Sequence, residues 1–331
     1  MNQVLYVTTP GALVHQVSGR LRVIKGKELL QEVRLHELER VVILGGTAGM
    51  TSQAATCLME AGVETAFLSS TGRFRGWLSP AKGRGVSLRL AQFDAYSDPV
   101  RRLSLARAIV AQKIRNSETL LARYSRNHDD FDPSVERERL ARSATTASEA
   151  LSVASLLGIE GDAAAAYFAA FGRMLKGGFS FSTRTRRPPR DAANALLSFG
   201  YTLLSAEATS AVAGAGLDPA LGMLHEPQEG RPSLGLDLTE EFRQPLVDRL
   251  VLALANTRVL SATEDFTGNE FRLTDPARRR FLLAYEERMT ERFFDRTLNQ
   301  ETSLRGRLRL QAHRLGKAIQ EEHPYVPYVL R

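Results

Sequence analysis

The amino-acid sequence predicts an α+β protein: a β-sandwich-like N-terminal domain over 1–80, a linker over 81–97 and an all-α domain over 98–331. Three observations carry this. The first 80 residues are short β-branched or alternating runs broken by turn pairs, the pattern of hairpins in a sheet or sandwich. Beyond residue 97 apolar residues recur at three- and four-residue spacing over long segments. The length, 331 residues, allows two domains with real cores.

In order, strands are predicted at Val4–Thr9, Ala12–Val17, Leu21–Ile24, Leu29–Leu35 and Val41–Gly45, with turns at Ser18-Gly19 and Lys25-Gly26-Lys27. Thr51 can cap a helix over Thr51–Ala61, and Gly62 ends it. Strands Val63–Leu68 and Phe74–Leu78 follow. The Gly45-Gly46-Thr47-Ala48-Gly49 turn matches neither a dinucleotide fingerprint nor a P-loop, and reads as a tight strand-to-helix connection. Pro80, Gly83 and Gly85 mark the linker. Helices are predicted over Pro99–Asn127, Pro133–Leu157, Ile159–Leu175, Asp191–Ala215, Ser233–Leu260, Pro276–Thr297 and Ser303–Glu322. Pro245 breaks or kinks the fifth. A hairpin over Phe266–Leu273 turns at Gly268-Asn269.

Composition narrows the class. With 43% hydrophobic and 24% charged residues the chain is globular rather than disordered. Cys57 is the only cysteine, which excludes a disulfide scaffold and a cysteine zinc cluster and suits a reducing, cytoplasmic setting. The opening MNQVLYVTTPGALVHQ lacks the pattern of a signal peptide, and no run of roughly 18 apolar residues is expected to span a membrane. A net charge of +7 favours a polyanionic partner, nucleic acid first.

Three features can carry chemistry. His225 precedes a Pro- and Gly-bearing loop that leads into a helix with Asp237 and Glu240 on one face. An acid among Leu234, Leu236 and Leu238 is costly unless paired or bound to a cation, so a His/carboxylate site for Mg²⁺ or Mn²⁺ is one reading. The other is that Asp237 and Glu240 simply complement the helix dipole. Glu160, between Gly158 and Gly161 at an expected helix start, is the second candidate. The third is the run Arg184, Arg186, Arg187, Pro188, Pro189, Arg190, whose density and stiffened backbone suit phosphate contacts. Basic faces at Arg278–Arg280 and at Arg305, Arg307, Arg309, Arg314 and Lys317 read as solvated surface or further anion contacts.

Four stretches resemble the CRISPR-associated spacer-acquisition integrase, a metal-dependent DNA endonuclease family: Gly158-Ile159-Glu160-Gly161-Asp162-Ala163-Ala164, Arg187-Pro188-Pro189-Arg190-Asp191-Ala192-Ala193-Asn194 running on to Tyr201, Leu217-Asp218-Pro219 leading to Gly222-Met223-Leu224-His225, and Leu236-Asp237-Leu238-Thr239-Glu240-Glu241-Phe242-Arg243. The resemblance implies an N-terminal β-domain used for homodimerisation and a helical catalytic domain. It implies a Mg²⁺ or Mn²⁺ ion held by Glu160, His225 and Glu240, with Asp237, Asn194 and Arg243 in support. Thr239 stands where a methionine is frequent, and Glu240 where some relatives have Asp. The implied reaction is attack of a DNA 3′-hydroxyl on a repeat phosphodiester, or hydrolysis when water attacks instead. Implied partners are DNA (protospacer ends, branched intermediates, the leader-repeat) and a small ferredoxin-like CRISPR-associated protein bridging two dimers, with Pro324–Arg331 as its expected contact. Arg184, Arg186, Arg187 and Arg190 are expected to hold the DNA backbone. The metal-free site, at −2, is expected to repel DNA. The rivals are an architectural DNA-binding subunit without metal dependence and a helical metallohydrolase of small molecules.

Overall fold

The computed structural model describes residues 3–69, 74–78, 85–186 and 188–330. The chain divides into two compact units, 1–84 and 85–331.

The first unit holds β1 (Gln3–Val7), β2 (Leu13–Val17), β3 (Arg20–Lys25), β4 (Glu28–Arg34), β5 (Leu38–Leu44), β6 (Gly49–Met50), α1 (Ser52–Glu60), β7 (Glu64–Leu68) and β8 (Phe74–Leu78). Two four-stranded sheets form, ordered β1-β5-β7-β8 and β4-β3-β2-β6. Ser18 and Gly19 both adopt positive φ, 49° and 76°, the twist that a two-residue hairpin between β2 and β3 requires. Both sheets and α1 feed one core, with Leu5, Val7, Val14, Leu21, Val23, Ile43 and Leu58 in it. The hairpin picture holds for β2–β3–β4 and for the antiparallel pair β7–β8, and fails for β6, which runs parallel to β2, and for β1, β5 and β7, which run parallel to one another. Parallel neighbours need crossovers, which the chain supplies with the whole β2–β4 sheet and with α1.

The second unit contains α2 (Val86–Ser97), α3 (Pro99–Ser125), α4 (Ser134–Glu149), α5 (Val153–Met174), α6 (Ala192–Gly214), α7 (Ser233–Glu240), a π-helical turn (Arg243–Asp248), α8 (Arg249–Asn256), the hairpin β9–β10 (Phe266–Thr267, Arg272–Leu273), α9 (Asp275–Thr290), the hairpin β11–β12 (Phe293–Asp295, Gln300–Thr302) and α10 (Leu304–Glu321). Helix starts follow capping chemistry: the Asp98 and Asp191 carboxylates accept backbone N–H groups of α3 and α6. Helix α6 is buried around nearly its whole circumference and forms the centre of the unit. Arg305 on α10, itself 4% exposed, forks to Glu207 on α6 and Glu286 on α9 at 2.9–3.0 Å.

Several expectations are corrected here. Val86–Ser97 is a helix, not linker. It buries little beyond Gln92 and Ala95, so its periodicity is faint. Glu160 sits inside α5, which starts seven residues earlier because Ser152 and Ser155 close a reciprocal cap. Phe293–Asp295 leaves the helical path for a hairpin. Arg305 and Arg307 are internal ion-pair partners rather than a basic face. Helix α5 is long and apolar enough by length and composition to cross a bilayer, contrary to expectation. Its Leu156, Ala163, Tyr167, Phe171 and Met174 are buried within this unit. The C-terminal tail is not a free arm: Tyr325, Tyr328 and Leu330 are buried, and Phe242 stacks on Tyr328 at 4.9 Å.

Candidate active site

The site is built where α3, α5, α7 and the His225 loop meet. Gly235 lets α7 lie against α6: a Cβ there would stand 2.4 Å from Thr209 Oγ1 and 3.0 Å from its Cα. Gly222 plays the same part beneath the His225 loop, its missing Cβ leaving room for the His225 carbonyl and Ser233.

Asp237 is fully buried and shapes that loop. Its Oδ2 accepts the backbone N–H groups of Met223 and Leu224 at 2.6 and 3.0 Å. Its Oδ1 accepts the His225 N–H at 3.0 Å and lies 2.7 Å from His225 Nδ1. An acid among leucines is thus neutralised by four donors, and in turn it fixes the imidazole tautomer with Nδ1–H toward the carboxylate. The loop is braced from the other side by α2 and α3. Gln92 donates to the Asp218 and Leu221 carbonyls at 2.9 Å and accepts from the Asp218 N–H at 2.8 Å. Arg102 donates to the Met223 carbonyl at 3.0 Å and pairs with Glu226.

One turn beyond Asp237, Glu240 is 3% exposed, and Glu160 approaches it from α5. Lys113 of α3 joins them: its ammonium contacts Glu160 Oε1 and lies 2.6 Å from Glu240 Oε2. Arg243 holds Glu240 Oε1 at 2.8 Å and stacks over Tyr201, its guanidinium carbon 4.6 Å from the ring centre. Burial alone would raise the Glu240 pKa. The charges of Arg243 and Lys113 outweigh it and hold the carboxyl well below its ordinary range. Behind Arg243, Tyr201 and Tyr167 donate to the buried Asp248 carboxylate at 2.5 and 2.7 Å. Burial, only partly offset by these bonds, pushes Asp248 up to about 6. Glu241 faces the other way, accepting from Tyr325 Oη at 2.5 Å and from the Tyr328 N–H at 2.7 Å.

Two of the three expected metal ligands, Glu160 and Glu240, thus meet at one cation, the lysine's own. His225 stands alongside on its Asp237 support. Among the described residues, no three His, Cys, Asp or Glu side chains close on one point. The expected −2 site is also corrected, because Lys113 and Arg243 balance Glu160 and Glu240. Lys113 was missed by sequence reading. The signal was present: Gln112, Lys113, Asn116 and Ser117 are polar residues buried in the middle of an apolar helix.

The supporting and basic residues divide. Asn194 is fully buried and clips the chain before α6: it accepts from the Thr185 N–H at 2.9 Å and donates to the Thr183 carbonyl at 2.9 Å. Arg184 turns inward, donating to Asn194 Oδ1 and Ser198 Oγ at 2.8 and 3.0 Å over the Tyr201 ring. Burial lowers its pKa to about 10. This guanidinium is spent on α6 rather than offered to a phosphate. Arg186 and Arg190 are exposed. Arg186 lines a small cavity with Lys113, Glu160, Tyr201 and Arg243. Arg187 lies outside the described residues.

Residues 5–287 match the family model described as CRISPR associated protein Cas1. A relative from Thermus thermophilus, named CRISPR-associated endonuclease Cas1 3, is 40% identical over 99% of this chain and 97% of its own length. One from Moorella thermoacetica, named CRISPR-associated endonuclease Cas1 1, is 35% identical over 99% of this chain and 98% of its own. A solved Cas1 structure from Thermotoga maritima superposes with a TM-score of 0.83 at 25% identity, covering 99% of this chain and 100% of that one. The family match over most of the chain and the whole-length similarity show that the chain belongs to the Cas1 family.

Proposed function

We propose that the chain is a metal-dependent DNA endonuclease and integrase that joins DNA fragments into a CRISPR array in the cytoplasm. The relatives named as endonucleases support the nuclease reading. The observation that carries the site is the meeting of Glu160 and Glu240 at a single cation beside an imidazole pinned through Nδ1. These residues fit a divalent ion. Glu240 Oε2 is buried with no well-formed hydrogen bond, and two carboxylates with one imidazole form a hard-to-borderline donor set. Glu160, Glu240 and His225, through Nε2, would hold Mg²⁺ or Mn²⁺.

An ion held there would supply polarisation of the scissile phosphate and a lower pKa for the attacking hydroxyl or water. The rest is done by the chain. Asp237 keeps the His225 ring oriented by holding its Nδ1, which leaves Nε2 as the nitrogen free to act as a ligand. Arg243, fixed between Glu240 and Tyr201, places a permanent positive charge beside the site, where the pentacoordinate phosphate gathers negative charge. Arg186 and Arg190 position the DNA backbone without reading sequence. Asn194 and Arg184 hold the segment carrying them against α6. The N-terminal unit supplies a homodimer contact, and a small ferredoxin-like protein joins two dimers. In the expected contact segment Pro324–Arg331, Tyr325, Tyr328 and Leu330 are buried while Val326 and Val329 are exposed, which leaves an apolar face for that partner.

The test is strand joining on a supercoiled plasmid carrying leader and repeat, with Mg²⁺, Mn²⁺ or EDTA. Alanine at Glu160, His225 or Glu240 is expected to abolish joining while DNA binding persists. Activity in EDTA, or full activity of all three variants, overturns the reading.

A further inference from the structure

The contact that joins the two carboxylates comes from within the protein. Lys113 is about 8% exposed and sits on α3 among Ile109, Val110 and Ile114. An ammonium is costly to bury, and here it is held by Glu160 of α5 on one side and Glu240 of α7 on the other. Arg243 takes the second Glu240 oxygen, so Lys113 faces the oxygen that Arg243 leaves. No other basic side chain touches Glu160 among the described contacts. The lysine therefore occupies the position where both carboxylates are directed. Beside it lies a cavity of about 20 Å³, lined by Ser117, Glu160, Tyr167, Arg186, Tyr201 and Arg243. That is room for about one water molecule, enough for a flexible four-carbon stem to withdraw its head group.

We infer that Lys113 is an intramolecular counter-ion that competes with the divalent cation for Glu160 and Glu240, and so sets the affinity of the site. The inference rests on the metal site proposed above. Without the ammonium, Arg243 alone would balance two carboxylates, and Glu160 would face Glu240 with no cation between them. With the ammonium they stay paired, and metal binding becomes an exchange of one cation for another. Occupancy then requires a metal concentration high enough to displace the lysine. Lys113 is a positioning residue here: it arranges the ligands and takes no part in the reaction itself.

The experiment is calorimetric titration of Mn²⁺ into the chelator-stripped full-length protein, for wild type, Lys113→Met, Lys113→Gln and Glu160→Gln, paired with melting curves in EDTA and in saturating Mn²⁺. Lys113→Met and Lys113→Gln are expected to bind Mn²⁺ at least tenfold more tightly than wild type. They should melt lower in EDTA and recover most of the deficit in Mn²⁺. A lysine that was only a structural prop would give the lower melting point without the tighter binding. Equal or weaker Mn²⁺ binding by the folded Lys113 variants overturns the inference, while loss of binding in Glu160→Gln keeps the metal site standing. Absence of Mn²⁺ binding in wild type and both lysine variants overturns the site and the inference together. Two neutral replacements guard against one of them failing to fold.

Discussion

Asp237→Asn tests how much of the site depends on one buried carboxylate. The change is nearly isosteric, so packing is preserved and only hydrogen-bond chemistry is altered. Four donors converge on the two oxygens: Met223 and Leu224 N–H on Oδ2, His225 N–H and Nδ1 on Oδ1. An amide must turn its NH₂ toward one pair. Placed at Oδ2 it faces two backbone N–H groups that have no other partner among the described residues. Placed at Oδ1 it faces the His225 N–H, and the ring can satisfy it only by moving its proton to Nε2. The first arrangement leaves buried donors unpaired, at about 1–3 kcal/mol each. The second yields a histidine whose outer nitrogen can no longer coordinate. The expected outcome is a loss of about 2–6 kcal/mol of stability in the first arrangement, or a roughly 10–100-fold loss of metal affinity in the second, the usual cost of removing such a support. Chemical denaturation and Mn²⁺ titration measure the two separately. A variant with wild-type Mn²⁺ affinity and stability would refute the claim that Asp237 sets the ring's tautomer.

Two further predictions follow from the packing. Gly235→Ala puts a methyl within 3.0 Å of Thr209 Cα as well as its hydroxyl, so no rotamer change relieves it. It should cost about 1–3 kcal/mol, lowering the melting temperature by roughly 2–4 °C per kcal/mol, whereas Gly158→Ala, with open space at its Cβ, should not destabilise. Equal melting temperatures for the two would contradict the close approach of α6 and α7. The Asp248 carboxyl sits at about 6 when folded against 3.8 as its ordinary value. The folded state therefore binds the proton more tightly, and wild type loses stability as pH rises from about 4 to 7. Relative to Asp248→Asn the loss should total roughly 3 kcal/mol, from about two pH units at about 1.4 kcal/mol each. A pH-independent difference between the two proteins would show that burial does not govern this group.

The elements that announced themselves in the sequence are those whose partners are local. Ser18-Gly19 specifies its hairpin because only a positive-φ pair closes it. Asp98 and Asp191 cap their helices through bonds two or three residues away. The parallel order of β1, β5 and β7 was not legible, because a parallel register is set by what packs across the sheet rather than by any turn. Helix α2 was hidden for a related reason. Its value lies in Gln92, a polar residue reaching 126 positions along the chain, and not in an apolar stripe. At the site, Glu160, His225 and Glu240 were readable through motif resemblance, and Asp237 through its leucine neighbours. Lys113 was not, since a search for ligands looks for acids and imidazoles and passes over the cation that holds them. The tail escaped for want of periodicity: Tyr325 and Tyr328 are buried by Glu241, Gln311 and Phe242, none of them near in sequence.

The central claim is that one divalent cation takes the place where Lys113 now bridges Glu160 and Glu240, with His225 as its third ligand. Anomalous diffraction from crystals of the protein grown in Mn²⁺ addresses it directly. A single peak coordinated by both carboxylates and by His225 Nε2, with the Lys113 ammonium withdrawn, is the predicted result. A peak elsewhere, or the ammonium still seated between the carboxylates in crystals of an Mn²⁺-activated enzyme, would contradict it.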